Sequence, residues 1–444
     1  MSHQFTLGQS RAQWVSSGFM VAMTVSMLTT PWLLSRYGYR RTYVGAMLLL
    51  MAGGIAGGLA NVYGLVLAAR VAEGLAAGVV QPIPAIIILR AFQPHEQGRA
   101  SGIFGMGVVL APAIGPSIGG ILVDMFGWRS IFFMVVPFCL ASLWLAFKFV
   151  PDTPPGGDSV GRTEDKLDWR GLLLAAVGTL CLLNGLVELQ GGTAASAGAL
   201  LVGAVACVFL FVGWQKRYAR QGGAPLMNLA LFSYRPFAMG SVVSFIYGTA
   251  LFGSTYLLPV YMQRGLDLSA SLVGTILLPA GIVLAITIVG RLADRQPTHV
   301  LVCTGLALLA ASFALMWLVQ LQTALWVLAA LAVLGRIGLG FILPSLNLGA
   351  MRPLSKPLIP QGASAINFVR MLGGAAGVSL CGIVLEWRLA VHGDSLTTLA
   401  SSPARLTAFN ETFTMLAVLC LVALVAALQL RVPPLSIANS TKNP

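Results

Sequence analysis

Thirteen strongly apolar stretches run through this chain, at residues 12–35, 42–61, 64–91, 99–124, 130–150, 170–190, 196–215, 237–262, 269–292, 299–319, 324–351, 362–387 and 410–431. Each is close to the ~20 residues needed to cross the hydrocarbon core of a bilayer. Hydrocarbon offers no partner to a free backbone N–H or C=O, so segments of this kind must close their hydrogen bonds internally as α-helices. Composition points the same way: 57% of residues are apolar and 9% charged, against roughly 25% charged in soluble domains. Mean hydropathy is +0.85. The expected fold class is therefore all-α and polytopic, with about 13 membrane helices.

The net charge of +13 would raise nucleic acid as a partner for a soluble protein. Here the basic residues sit at the ends of apolar runs and do not interleave with aromatics as in a nucleic-acid groove. When alternate loops are placed on alternate sides, 19 of the 27 Lys and Arg fall on one face. The other face holds five (Arg11, Arg129, Arg264, Arg388 and Arg405), and three (Arg70, Arg336 and Arg370) lie inside spans. Cytoplasmic loops carry such an excess. The carboxyl terminus is expected in the cytoplasm and the amino terminus, as the chain stands, outside. No nucleic-acid partner is expected.

Other chemistry is quiet. The cysteines (Cys139, Cys181, Cys207, Cys303, Cys381 and Cys420) lie within spans, without metal-ligand spacing. The four histidines form no cluster. No catalytic triad, metal site or phosphate loop is legible, so neither enzyme nor cofactor is expected, nor is a cleaved signal peptide. The 50 glycines suit close helix packing in lipid.

The chain divides into residues 1–150 with five spans, 151–235 with polar connectors and two spans, 236–432 with six spans, and a tail, 433–444. The first and third blocks repeat each other. The end of span 12–35 reads Pro31-Trp32-Leu33-Leu34-Ser35-Arg36-Tyr37-Gly38-Tyr39-Arg40-Arg41, and that of span 269–292 reads Gly290-Arg291-Leu292-Ala293-Asp294-Arg295. Two spans after each comes an arginine inside a span with glycine four residues on: Arg70 with Gly74, and Arg336 with Gly340. The offsets are 259 residues from Arg36 to Arg295 and 266 from Arg70 to Arg336. Repeats of this kind build many secondary transporters, with the site between them at the membrane midplane. In the third block a whole span precedes the one ending at Asp294, whereas eleven polar residues precede residue 12. The expectation is a fourteen-helix plan lacking its first member, through a start set downstream of the true one or a shortened protein.

The Leu33…Arg36-Tyr37-Gly38…Arg40-Arg41 segment resembles the loop motif between helices 2 and 3 of the major facilitator superfamily. The run Gly107-Val-Val-Leu-Ala-Pro112-Ala-Ile-Gly115-Pro116-Ser-Ile-Gly119-Gly120 resembles that superfamily's antiporter motif on helix 5. Two extra central spans, followed by Pro225-Leu226…Leu231-Phe232, resemble its fourteen-helix drug:proton antiporters. The likeness runs from about residue 9 to 432. It implies a secondary transporter working by alternating access, in a cell or inner membrane. Its partners would be lipid, protons, an amphipathic substrate and, in a host with an outer membrane, a periplasmic adaptor.

Each motif has a physical reading. Gly107, Pro112, Gly115, Pro116, Gly119 and Gly120 remove side chains and backbone donors, so their helix can bend and pack closely; the resemblance makes them a gate. It also makes Arg36, Gly38 and Arg40, with Asp294 and Arg295 in the second copy, a cytoplasmic latch; an orientation signal explains the same charges. Arg70 and Glu73 stand three apart on one helix face, where a charge costs about 2.5–3.5 kcal/mol and normally serves a function. Burial favours neutral Glu73 and Arg70 favours the ionised form, so conformation could switch its protonation; a mutually neutralising structural pair is the alternative. Asn367 and Arg370 are candidate cavity residues.

Two departures bear on the proton coupling that the resemblance implies: Ser35 stands where the family's loop motif has an aspartate, and the helix that carries the family's proton-binding aspartate is the member expected to be absent. Moving one charge down 100 mV releases about 2.3 kcal/mol, enough for a roughly fiftyfold gradient. The function expected is proton-coupled export of amphipathic drug-like or metabolic compounds. A narrow metabolite or siderophore exporter, and a non-transporting sensor or scaffold, stand as alternatives.

Overall fold

The computed structural model describes residues 9–93, 95–150, 166–191, 193–269, 272–277, 296–396 and 402–431. In these residues the regular structure is helical, with no strand. The first half contributes α1 (Gln9–Ser26), α2 (Thr30–Tyr37), α3 (Tyr39–Leu59), α4 (Tyr63–Val80), α5 (Ile83–Ala91), α6 (Gln97–Phe126) and α7 (Ser130–Phe149). Then come α8 (Trp169–Gly191) and α9 (Ala194–Arg220), followed by α10 (Arg235–Val260), α11 (Thr298–Ala314), α12 (Leu325–Met351), α13 (Ile359–Val391) and α14 (Pro403–Ala427).

Eleven of the thirteen expected spans coincide with helices long and apolar enough to cross a membrane. The twelfth is α6, whose 30 residues extend about 45 Å. The stretch 269–292 lies mostly outside the described residues. Chain chemistry sets the breaks. Pro82 removes a backbone donor between α4 and α5. Gly38, at φ 81°, and Gly127, at φ 78°, end α2 and α6 in a conformation that L side chains rarely adopt. One boundary differs clearly from expectation: α14 starts at Pro403, not near residue 410. Its first turns carry Arg405, Asn410 and Glu411, which depress local hydropathy, yet Ser402 caps the helix by accepting the Arg405 N–H at 3.0 Å.

Apolar side chains cannot drive helices together in lipid, so backbone proximity and hydrogen bonds do that work. A Cβ added at Gly248 of α10 would strike the backbone of Arg370 on α13, and one at Gly373 would strike that of Phe245. Across this seam Ser244 Oγ donates to the Ile366 carbonyl at 3.0 Å and Thr249 Oγ1 to that of Gly373 at 2.9 Å. Gly74 and Gly78 bring α4 onto the backbone of α1 in the same way, and Ser312 Oγ ties α11 to the Leu331 carbonyl at 2.8 Å. Large side chains such as Phe138, Trp144, Phe209 and Trp326 stand exposed on the outer surface, as a lipid-facing surface requires.

The hairpin of α8 and α9 is anchored by one buried carboxylate. Asp168 accepts from Trp214 Nε1 at 2.9 Å, Gln215 Nε2 at 2.7 Å and the Gly171 N–H at 2.9 Å.

The Gly373→Ala variant is expected to lose about 1–3 kcal/mol through overpacking, whereas Gly64→Ala, with nothing within 4 Å of its added methyl, should change little. Denaturation of the purified variants in detergent measures the difference.

Candidate functional site

Glu73 Oε2 and Arg70 Nη1 lie 2.9 Å apart one helical turn from each other, an ion pair inside α4. The side chains differ in exposure: 28% for Arg70 and 3% for Glu73. Glycines create the space for the carboxylate. A Cβ at Gly53 of α3 would come within 2.9 Å of Glu73 Cγ, and one at Gly54 within 3.7 Å of Oε1. The guanidinium sits 4.9 Å from the Phe19 ring centre and 5.6 Å from that of Phe132, so ring faces share the cation with Glu73. The pair is thus enclosed by α1, α3 and α7. Glu73 Oε1 is buried and has no hydrogen-bond partner among the described residues. One carboxylate oxygen is held by charge, and the other is bare.

The second copy of this position carries no carboxylate. Arg336 on α12 is followed three residues later by Leu339, and its Nη1 is buried with no partner among the described residues. Arg370 on α13 is 4% exposed. Asn367, one turn before it, donates to its own helix at the Ala363 carbonyl, 2.7 Å away.

The halves meet where the basic loops lie. Arg90, at the end of α5, donates Nη2 to the Lys356 carbonyl at 2.9 Å and reaches Tyr39 Oη at 3.4 Å through Nη1. Beside this link one buried cluster joins Leu34, Ile83 and Ile86 to Met351, Leu354 and Ala363. A Cβ at Gly105 of α6 would lie 2.9 Å from Pro344 of α12. The sequence reading counted Arg90 as a loop charge; nothing in the sequence marks the carbonyl it reaches.

Of the loop residues singled out, Gly38 supplies the turn between α2 and α3, and Arg40 Nε bonds the Val150 carbonyl at 2.7 Å, within the first half. Arg36 is exposed. Asp294 and Arg295 lie outside the described residues. On α6, no described atom stands within 4 Å of a Cβ placed at Gly107, Gly115, Gly119 or Gly120; Pro112 and Pro116 lie within the same unbroken helix.

Arginines of the sparsely charged face are locally answered. Arg388 pairs with Glu411 at 2.5 Å, and His392 joins the same carboxylate at 3.0 Å. Arg405, almost wholly buried, pairs with Asp394 at 3.0 Å. Arg129 donates to the Ala60 carbonyl at 3.1 Å and to Asn61 at 3.2 Å.

The profile of the Major Facilitator Superfamily matches residues 1–378. The chain belongs to the major facilitator superfamily. This major facilitator is 28% identical over 395 residues to the "Multidrug resistance protein B homolog" of Mycobacterium tuberculosis (strain ATCC 25618 / H37Rv), covering 88% of this chain and 72% of that one. It is 25% identical over 381 residues to the "Lincomycin resistance protein LmrB" of Listeria monocytogenes serovar 1/2a, covering 85% and 79%. Its fold is similar to that of the proton:xylose symporter XylE, with a TM-score of 0.63 at 13% identity, covering 94% of this chain and 86% of that one. It is therefore a multi-pass membrane protein of a transporter family.

A double-mutant cycle tests whether the α4 pair acts as one unit. Arg70→Met strands a buried carboxylate and is expected to cost about 3–5 kcal/mol. Arg70→Met with Glu73→Gln removes both charges and should recover more than half of that loss in denaturation of the purified protein.

Proposed function

We propose that this chain exports amphipathic drug-like compounds in exchange for protons, by alternating access, across a cell membrane in which the basic loops and the carboxyl terminus face the cytoplasm. Relatives named for multidrug and lincomycin resistance support the export of such compounds. The excess of basic loop residues supports the orientation.

The observation that carries proton coupling is the bare oxygen of Glu73. A carboxylate bound to Arg70 on one side only, in an apolar enclosure, gains by taking a proton on the other oxygen when Arg70 moves away. Arg70 reaches open space while Glu73 does not, so the guanidinium can swing and leave the carboxyl behind. Charge and neutrality then belong to different conformations, and the proton gradient biases the choice between them. In this reading Glu73 is the proton carrier and Arg70 the group that expels the proton. Gly107, Pro112, Gly115, Pro116, Gly119 and Gly120 give α6 the freedom to gate. Arg36, Gly38 and Arg40, with Asp294 and Arg295, stabilise the state closed at the cytoplasmic end, where Arg90 bonds the opposite half.

Ethidium efflux from proteoliposomes under an imposed pH gradient tests it. Wild type should pump and stop on adding a protonophore. Glu73→Gln should bind ethidium yet lose at least about tenfold in gradient-driven rate, the scale of one lost charge-assisted contact. Full proton-driven efflux in Glu73→Gln would falsify this role.

A further inference from the structure

Three donors lie near the middle of the second half. Tyr247 is fully buried on α10, and its hydroxyl has no hydrogen-bond partner among the described residues. Arg336 on α12 has a buried Nη1 with no partner among the described residues. Arg370 on α13 is 4% exposed. Tyr247 lies within electrostatic reach of both guanidiniums. The α10–α13 seam enforces part of this proximity, because Gly248, next to Tyr247, rests against the Arg370 backbone.

The depth is shared. Tyr247 stands twelve residues from the start of α10 and Arg370 eleven from the start of α13, about 18 and 17 Å into the bundle from the basic end. Arg336 is fifteen residues before the end of α12, about 23 Å from that same end. The three groups therefore occupy one level within about a helical turn.

Among the described residues, no carboxylate of this half is placed to answer them. Between Asp267 and Glu386 the sequence has one acidic residue, Asp294, which lies outside the described residues and in sequence follows the span 269–292. Glu386 is sixteen residues beyond Arg370 on the same helix, about 24 Å away along its axis. Asp394 and Glu411 are taken by Arg405 and by Arg388 with His392. The buried Arg370 guanidinium, the half-buried Arg336 with its buried Nη1, and a buried hydroxyl donor at membrane depth call for an anion from outside the chain.

We propose that Tyr247, Arg336 and Arg370 form an anion-binding subsite that takes the carboxylate, or an equivalent monoanionic head, of an organic amphipath. The inference rests on the transport reading and deepens it: among amphipaths, apolar anions are preferred over neutral or cationic ones such as ethidium, with the two guanidiniums neutralising the head group and the phenol donating a hydrogen bond to it. A planar guanidinium suits a carboxylate because it donates two parallel N–H bonds.

The test uses the full chain in nanodiscs of zwitterionic lipid and three fluorescent probes with one apolar body: pyrenebutyrate, pyrenebutanol and pyrenebutylamine. Energy transfer from tryptophan to pyrene reports binding. Wild type should bind pyrenebutyrate at least about tenfold more tightly than pyrenebutanol, as expected when a charge-assisted contact is added. Arg336→Gln and Arg370→Gln should each bring the ratio of pyrenebutyrate to pyrenebutanol affinity down to about one, and Arg370→Lys should keep part of the preference. A wild type without preference for the carboxylate overturns the proposal with no variant needed, as does a preference that survives both substitutions. Flux of the same probes from proteoliposomes separates the two readings. Carboxylate preference without flux of any probe contradicts transport and supports the subsite. Pyrenebutylamine efflux without carboxylate preference supports transport and overturns the subsite.

Discussion

A charged side chain at the centre of a hydrocarbon slab costs about 2.5–3.5 kcal/mol on insertion scales, and this bundle keeps four of them within its helices: Arg70, Glu73, Arg336 and Arg370. How each is answered organises the rest. In the first half, Glu73 answers Arg70 within one turn of α4. Glycines on α3 open the space for the carboxylate, and Phe19 and Phe132 close over the guanidinium. In the second half the corresponding helix has Leu339 where the first has Glu73. In the proposed subsite a bound anion supplies that compensation, and the repeat divides the work between a proton in one half and a solute in the other.

The same economy governs how the halves are joined. Helices within a half approach through glycine and through Ser and Thr hydroxyls bonded to carbonyls, as along α10 and α13. Among the described residues, links between halves toward the basic end are lighter: an Arg90 bond to the Lys356 carbonyl, a patch of aliphatic side chains, and the contact of Gly105 with Pro344. Contacts of the first kind make rigid units. Those of the second can be remade at modest cost, which is what rocking of one half on the other requires. Their concentration at the basic end describes a conformation closed on that side.

Much of this was legible in the sequence, for identifiable reasons. Span positions follow from hydropathy, since lipid leaves the backbone no alternative to helix. The Arg70–Glu73 pair follows from i, i+3 spacing alone. The early start of α14 was hidden because Arg405 looks like a loop residue until Asp394 is seen to neutralise it. Arg90 was missed because its acceptor is a backbone carbonyl 266 residues away, which no spacing announces. Tyr247 was missed because a tyrosine in an apolar helix looks like ordinary packing; its meaning depends on three helices converging. Local pairs can be read from spacing, whereas contacts made by tertiary approach cannot.

The central claim is that two rigid halves exchange access to a site between them, and paired distances across both ends test it most directly. Spin labels at Gln93 and Ser355 report the basic end, and labels at Asn61 and Gln322 the opposite end, in a background without the six cysteines and reconstituted in nanodiscs. Double electron–electron resonance at high and low pH should show populations that move in opposite directions, one pair lengthening as the other shortens. Distances that stay fixed, or that change together, would contradict alternating access.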